Sequence, residues 1–259
     1  MKKGSRIMLI ALVMFFLGLL LGFVGAGGAG VVIAVLTVVF GIPIHTALGT
    51  SLSAMIFTTL SGAYSHFREG NVEMKNGIAV GVFGAIGAFI GSQIASGLPA
   101  KDLKWLTACM LFLSAILLWL KIFFASKEIF SRIESKSALV RWKFWVTACG
   151  LGIFTGILSG TFGIGATPFI QIGLLVFFNM SIHQSAGTTM LIIIPIALLG
   201  GLGYLTAGYL DVSLLLKVTI GLMIGAYVGA KFTKRLKPSI LKVSMVSIPI
   251  FGGVLLLFG

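Results

Sequence analysis

Two glycine-rich stretches in this sequence have the composition of places where a helix breaks and leaves backbone groups free to bind a ligand. The first stretch runs from Gly22 to Gly30 and the second from Gly160 to Gly165. Glycine is unfavourable inside a helix, so we predict that one helix ends and another begins at each stretch. The first N–H groups of a helix have no partner within it and carry partial positive charge, which attracts anions. Pro168 suits the first turn of the second restarting helix, and Thr167 is predicted to cap it.

Two pairs of hydroxyl residues, at positions 50–51 and 188–189, follow the glycine stretches. A hydroxyl in an apolar segment more often stabilises helix packing than binds a ligand. Because the two pairs occupy matching positions, however, we weigh the ligand role and the packing role equally. Both interpretations stay open. The residues predicted to bind a ligand are Gly25, Gly27, Gly28, Thr50, Ser51, Gly163, Gly165, Thr167, Thr188 and Thr189.

The segments around these residues lack charged side chains. No Asp, Glu, Lys or Arg occurs from Ile7 to Phe67 or from Phe144 to Leu210. Acidic residues within the membrane are the usual carriers of protons and cations, so a cation pump is hard to build from this sequence. His45 and His183 could respond to pH or assist a proton, although a capping or interfacial role is the simpler interpretation.

The composition indicates a membrane protein. The chain has 259 residues, of which 58% are hydrophobic and 10% charged, and its mean hydropathy is +1.13. Long charge-free runs of this kind are membrane spans. The net charge of +13 comes from short basic groups between the apolar segments, which is the pattern of cytoplasmic loops beside lipid headgroups. We therefore expect membrane lipids as partners and no binding of nucleic acid.

Neither a cofactor nor a metal is predicted. Residues Gly25–Gly30 match the pattern GxGxxG, but a dinucleotide site needs a preceding strand and an acid about 20 residues on. Here a long apolar run precedes the glycines, and the first acidic residue is Glu69. Cys109 and Cys149 lie in or beside apolar segments, with no CxxC motif or Cys/His cluster.

The apolar run from Ile7 to Phe40 is too long for one straight span. It has about 34 residues, or roughly 51 Å as one helix, whereas a bilayer core is about 30 Å thick. The segments after the two glycine stretches, Ala29–Gly41 and Pro168–Phe178, are too short to span. They are interpreted as the returning halves of broken or re-entrant helices.

The sequence also indicates an internal duplication. Adding 138 to a residue number relates Gly18 to Gly156, and the same offset relates further glycines to one another. It also relates His45 to His183 and the first hydroxyl pair to the second. We predict an all-α integral membrane protein of two homologous repeats, each with a broken glycine-rich helix pair and about three full spans. Residues 1–125 form the first repeat, 126–142 a cytoplasmic linker and 143–259 the second repeat, within one structural domain.

The two repeats are predicted to be inverted rather than parallel. The distribution of basic residues barely separates the two arrangements. The length of the first apolar run and a tight late basic group, Lys231 to Lys242, favour the inverted form, whereas the basic N-terminus opposes it. Small residues spaced four apart in the fourth segments, such as Gly84, Ala88 and Ser92, predict close helix packing.

These motifs resemble the TauE/SafE family of sulfite exporters. The resemblance covers nearly the whole chain outside the linker, and one departure is Ser181, where the first repeat has Pro43. It implies a multi-pass transporter of the bacterial inner membrane that moves sulfite, thiosulfate, sulfonates or similar small anions. The residues that carry it are Gly18–Gly30, Pro43, His45–Leu52, Gly84–Gly91, Gly160–Pro168 and Ala186–Thr189.

Two alternatives from other classes are an intramembrane enzyme and a structural subunit. An enzyme needs a converging group of acids, histidines or cysteines inside the membrane, and the sequence shows none. A structural subunit has no use for two helix breaks. We therefore expect an anion transporter and no enzyme.

Overall fold

The computed structural model describes the backbone of residues 3–24, 29–124, 141–233 and 238–259, and the side chains of residues 9–21, 29–120, 142–228 and 243–259. The predicted ligand residues Gly25, Gly27 and Gly28 lie outside the described residues. So do the predicted linker as far as residue 140 and the centre of the late basic group, residues 234–237.

The described part of the chain consists of helices and the turns that join them, with no strand in those residues, which confirms the all-α prediction. The second helix continues as a π-helical turn, Val35–Val39. The ten helices of the described part are α1 (Lys3–Val24), α2 (Ala29–Ala34), α3 (Ile44–Arg68), α4 (Met74–Gly97), α5 (Ala100–Phe124), α6 (Arg141–Phe162), α7 (Thr167–Phe177), α8 (Ile182–Thr206), α9 (Val212–Thr233) and α10 (Pro238–Phe258).

Within the described residues, four helices are long and apolar enough to cross a membrane by length and composition. They comprise Met74–Gly97, Ala100–Leu120, Trp142–Phe162 and Ile182–Thr206. By contrast, α7 has 11 residues, or about 17 Å, which is too short to span. The apolar helix Ala29–Val39 is equally short, so both short segments are confirmed.

The five helices of the second half begin at a constant distance from those of the first. Helix α1 begins at Lys3 and α6 at Arg141, and the other four pairs of starts keep the same offset of 138 residues. The starts of α3 and α8 differ in their caps. Pro43 precedes α3 and makes no side-chain cap, whereas the Ser181 hydroxyl accepts a hydrogen bond from the Gln184 N–H in a capping box. The duplication itself remains a prediction.

Close helix pairs join the two halves of the chain. Helix α4 packs along α6, and α1 packs along α9. A β-carbon placed at Gly156 of α6 would meet the backbone of Gly84, and one placed at Gly160 would meet the backbone of Ala88. Contacts that advance together along both helices mean that α4 and α6 are parallel. Small residues permit such backbone contact in a membrane, as the spacing in the fourth segments predicts.

Helices α3 and α8 cross the centre of the molecule in opposite directions. Gly49, early in α3, packs against Tyr204 late in α8, and Gly187, early in α8, packs against His66 late in α3. Fully buried side chains such as Leu48, Leu52 and Ile196 surround this pair. The antiparallel pair therefore forms the core against which the short helices dock.

Candidate functional site

The break between α6 and α7 is formed by residues in the left-handed backbone region. Helix α6 ends at Phe162, and α7 begins at Thr167. Between them Gly163 has φ +64°, Gly165 has φ +70° and Ala166 has φ 45°. Glycine adopts these angles without the steric penalty of a β-carbon, so the sequence breaks the helix here, as predicted. At the first stretch, α1 ends at Val24 and α2 begins at Ala29, and residues 25–28 between them are not among the described residues.

The predicted cap at Thr167 is wrong. The residue before α7 is Ala166, and no side chain in the described part of the chain caps the helix. Because the left-handed turn ends at Ala166, Thr167 lies inside the first turn and not before it. Its side chain is 3% exposed, and its Oγ1 has no hydrogen-bond partner among the described residues. The start of α7 therefore presents one buried hydroxyl whose proton has no acceptor within the described ranges.

The starts of α2 and α7 approach the same face of α3. The Ser51 hydroxyl donates a hydrogen bond of 3.1 Å to the carbonyl oxygen of Ala29, the first residue of α2. A β-carbon placed at Gly165 would lie 2.9 Å from the Met55 Sδ. Ser51 and Met55 are one helical turn apart, or about 6 Å along α3. The two restarts therefore lie near each other on a buried helix.

The other predicted hydroxyls make contacts that differ from one another. Thr188 Oγ1 accepts a hydrogen bond of 3.0 Å from the Glu73 N–H at the start of α4. Thr189 Oγ1 donates one of 2.6 Å to the Ser185 carbonyl oxygen, within its own helix. Thr50 is fully buried, and its Oγ1 has no partner among the described residues. Their role in ligand binding remains a prediction.

The two histidines have unequal surroundings. The Nε2 atom of His45 lies 3.1 Å from the carbonyl oxygens of both Ala95 and Leu98, at the end of α4. Its ring stacks on Tyr209, with ring centroids 4.6 Å apart. These are the contacts of a histidine that caps a helix end, whereas His183 is exposed. A proton or pH role for either residue remains a prediction.

Tyr204 is a residue of this region that the sequence analysis missed. It is fully buried in α8, and its hydroxyl lies 2.8 Å from the Gly160 carbonyl oxygen and 3.3 Å from that of Thr161. These carbonyls belong to the last turn of α6, directly before the break. A tyrosine within a charge-free apolar helix was the available signal, because a buried phenol usually has a hydrogen-bond partner.

No group of three or more His, Cys, Asp or Glu that could hold a metal ion occurs within the described ranges. What the region offers is backbone N–H groups and hydroxyls between helices α3, α6 and α7. The profile of the family described as sulfite exporter TauE/SafE matches residues 10–256. The chain belongs to the TauE/SafE family.

Curated relatives of this TauE/SafE protein carry transporter names. It is 56% identical to "Probable membrane transporter protein YdhB" of Bacillus subtilis (strain 168), over 97% of this chain and 100% of the relative. It is 27% identical to YjnA of the same organism, over 96% and 98% of the two chains. A probable membrane transporter of Methanocaldococcus jannaschii is 26% identical, over 93% and 91%. No solved structure matches.

The family and these names support a multi-pass membrane transporter and point away from an enzyme. The apolar helices of the structure support the same class.

Proposed function

We propose that this protein transports small anions, with sulfite or related sulfur oxyanions and organosulfonates as substrates. Transport proceeds by alternating access around a site between two inverted repeats in the bacterial inner membrane. The observation that carries the proposal is the approach of two helix restarts to one buried face of α3, at Ser51 and Met55.

Electrostatics favours an anion at this place. Segments 7–67 and 144–210 contain no Lys or Arg, so positive potential there comes from backbone N–H groups. Ala166, in the left-handed region, directly precedes the right-handed helix α7, and such a change of hand is a recurrent anion-binding arrangement of successive N–H groups. The Gly163 N–H does not belong to it, because it donates to the Ser159 carbonyl oxygen at 2.8 Å. Transporters with broken helices bind anionic substrate groups at such half-helix starts.

Hydrogen bonds from these groups would offset much of the cost of dehydrating an anion. A hydrogen bond to a charged group contributes about 1.5–3 kcal/mol, so four or five of them offset much of the loss of hydration. The groups that we assign to the anion are the N–H groups at the restart after Gly165 and the Thr167 hydroxyl. For the first half we propose the N–H groups at the restart after Gly27, and Gly27 and Gly28 themselves lie outside the described residues.

Inverted repeats are supported by the directions of the helices. If a two-fold axis exchanges the two halves, it places α3 on α8. Because α3 and α8 run antiparallel, that axis must lie in the plane of the membrane. The reciprocal contacts Gly49–Tyr204 and Gly187–His66 are related by the same offset of 138 residues. Inverted halves of this kind are common in transporters and supply alternating access.

Inverted repeats predict that corresponding turns face opposite sides of the membrane. We expect Glu69→Cys, in the turn between α3 and α4, to resist a membrane-impermeant thiol reagent applied to intact cells, because Arg68 and Lys75 favour the cytoplasm. Ser213→Cys, beside the turn between α8 and α9, should react readily. Both variants are made in a background without Cys109 and Cys149, and equal labelling of the two would indicate parallel repeats.

A role of Thr167 in anion binding predicts a specific loss in Thr167→Val. Valine keeps the shape and removes a hydroxyl that has no partner among the described residues, so the melting temperature should be unchanged or slightly higher. Sulfite affinity of the purified protein should fall about tenfold. The measurement is calorimetric titration with sulfite, thiosulfate, sulfate and an alkylsulfonate.

Thr219→Val is the matched control for this experiment. Thr219 is also buried, and its hydroxyl also lacks a partner within the described part, but it lies in α9. Affinity should therefore stay at the wild-type value in Thr219→Val. A well-folded Thr167→Val protein with wild-type affinity for all four anions would remove Thr167 from the site.

A further inference from the structure

A broken helix presents two opposite charges at the same depth. The start of α7 carries the partial positive charge of its N–H groups, whereas the end of α6 carries the partial negative charge of its last carbonyls. In transporters, half-helix carbonyl ends coordinate Na⁺ while half-helix starts bind anionic groups. A bare break between α6 and α7 would therefore attract cations and anions side by side.

Tyr204 covers the negative end of this break. Its hydroxyl donates a hydrogen bond of 2.8 Å to the Gly160 carbonyl oxygen and lies 3.3 Å from that of Thr161. The Thr161 hydroxyl is directed elsewhere, because it donates to the Gly91 carbonyl oxygen at 3.1 Å. The phenol proton of Tyr204 therefore reduces the negative potential at the end of α6.

The position of Tyr204 is fixed by packing against α3. A β-carbon placed at Gly49 would lie 2.8 Å from the Tyr204 Cβ, so the two helix backbones approach closely at this point. Tyr204 is also fully buried. A phenol held in this way reaches the carbonyls of α6 from a helix that belongs to neither side of the break.

We propose that Tyr204 determines the charge selectivity of the α6–α7 break, acting as a positioning residue and not as a direct substrate ligand. With its hydroxyl in place the break presents hydrogen-bond donors to the substrate, and the carbonyl oxygens of Gly160 and Thr161 are withheld from Na⁺ and from the anion. The inference rests on the proposed anion site. It assigns to that site the residue that excludes cations.

The test is Tyr204→Phe in the full-length purified protein. Sulfite affinity is measured at constant ionic strength with Na⁺, K⁺ or N-methylglucamine as the cation. We expect wild-type affinity to be the same with all three. In Tyr204→Phe, affinity should fall about tenfold in N-methylglucamine, because the uncovered carbonyls repel the anion, and should recover in part in Na⁺. Tyr64→Phe, on an exposed tyrosine, is the control and should match wild type.

A second measurement separates this inference from the proposed function. The melting temperature of each variant is recorded with and without Na⁺ in the absence of sulfite, and Tyr204→Phe should gain a stabilisation by Na⁺ that wild type lacks. Absence of sulfite binding in wild type contradicts the proposed function and leaves this second readout intact. Equal losses of affinity in all three cations, without stabilisation by Na⁺, would show a purely structural tyrosine and overturn the inference.

If Tyr204→Phe yields no folded protein, Tyr204→3-fluorotyrosine takes its place. Fluorine keeps the shape of the ring and makes the hydroxyl a stronger donor, so the carbonyls of α6 are covered more fully. We then expect tighter sulfite binding than in wild type, with no dependence on the cation. Affinity that is unchanged in this folded protein contradicts the role of the hydroxyl.

Discussion

Replacement of Gly156 by alanine is expected to lower the free energy of unfolding by about 3 kcal/mol, the upper end of the range for overpacking. The new methyl group would meet the backbone of Gly84, with its carbonyl carbon at 2.8 Å and its Cα at 2.9 Å. Backbone atoms cannot turn aside as a flexible side chain can, so α6 would have to separate from α4. The measurement is thermal or denaturant unfolding of the purified protein in detergent.

Gly150→Ala is the matched control in the same helix. Apart from its own helix, no atom of the described residues lies within 4 Å of a β-carbon placed there. Alanine in an open helix position is favoured over glycine by about 0.5–1 kcal/mol, so this variant should be as stable as wild type or more stable. Equal stability of the two variants would mean that α4 and α6 are not in backbone contact.

Gly165→Ala is expected to abolish measurable sulfite binding. Gly165 has φ +70°, and a β-carbon there would lie against the side chain of Met55. Alanine therefore strains the turn, by about 1–2 kcal/mol, and it also displaces the flexible end of the Met55 side chain, which lies against the start of α7. Because the proposed site depends on N–H groups aimed by this turn, a small displacement should weaken several hydrogen bonds together.

Gly70→Ala is the control that separates the backbone strain of a left-handed alanine from a disturbance of the proposed site. Gly70, in the turn between α3 and α4, has φ +71°. Apart from its chain neighbours, none of the atoms that the structure describes lies within 4 Å of a β-carbon placed there. It should lose a similar amount of stability as Gly165→Ala and keep wild-type sulfite affinity. Melting temperatures and titrations of both variants give the comparison. Normal binding by a folded Gly165→Ala protein would place the anion site elsewhere.

The positions of the helices could be predicted because their causes are local. The glycines at 163 and 165 break the helix through their own backbone angles, and the apolar segments on either side are bounded by turns and charges. Small residues spaced four apart likewise predict which face of a helix packs closely, even when the partner helix is unknown. Gly84 and Ala88, which pack against α6, are an example.

The partners of the hydroxyls could not be predicted, because they depend on which helix lies alongside. Thr50 and Thr188 occupy matching positions, each directly after a glycine, yet among the described residues only Thr188 accepts a hydrogen bond, from the Glu73 N–H. Thr167 was expected as a cap, but the left-handed angle of Ala166 moves it one position into the helix. Tyr204 bonds to carbonyls 43 and 44 residues earlier in the chain, a distance over which sequence spacing carries no information.

Because helices of the first half pack against helices of the second, the pairing also determines when the protein can fold during its synthesis. Helix α1 packs along α9, and Gly18 of α1 lies against the backbone of Leu222. A ribosome that has made only the first half has produced α1 and α4 without α9 and α6. The first helix to enter the membrane therefore stays without its partner until nearly the whole chain has been inserted, and assembly completes at the end of translation and not stepwise along it.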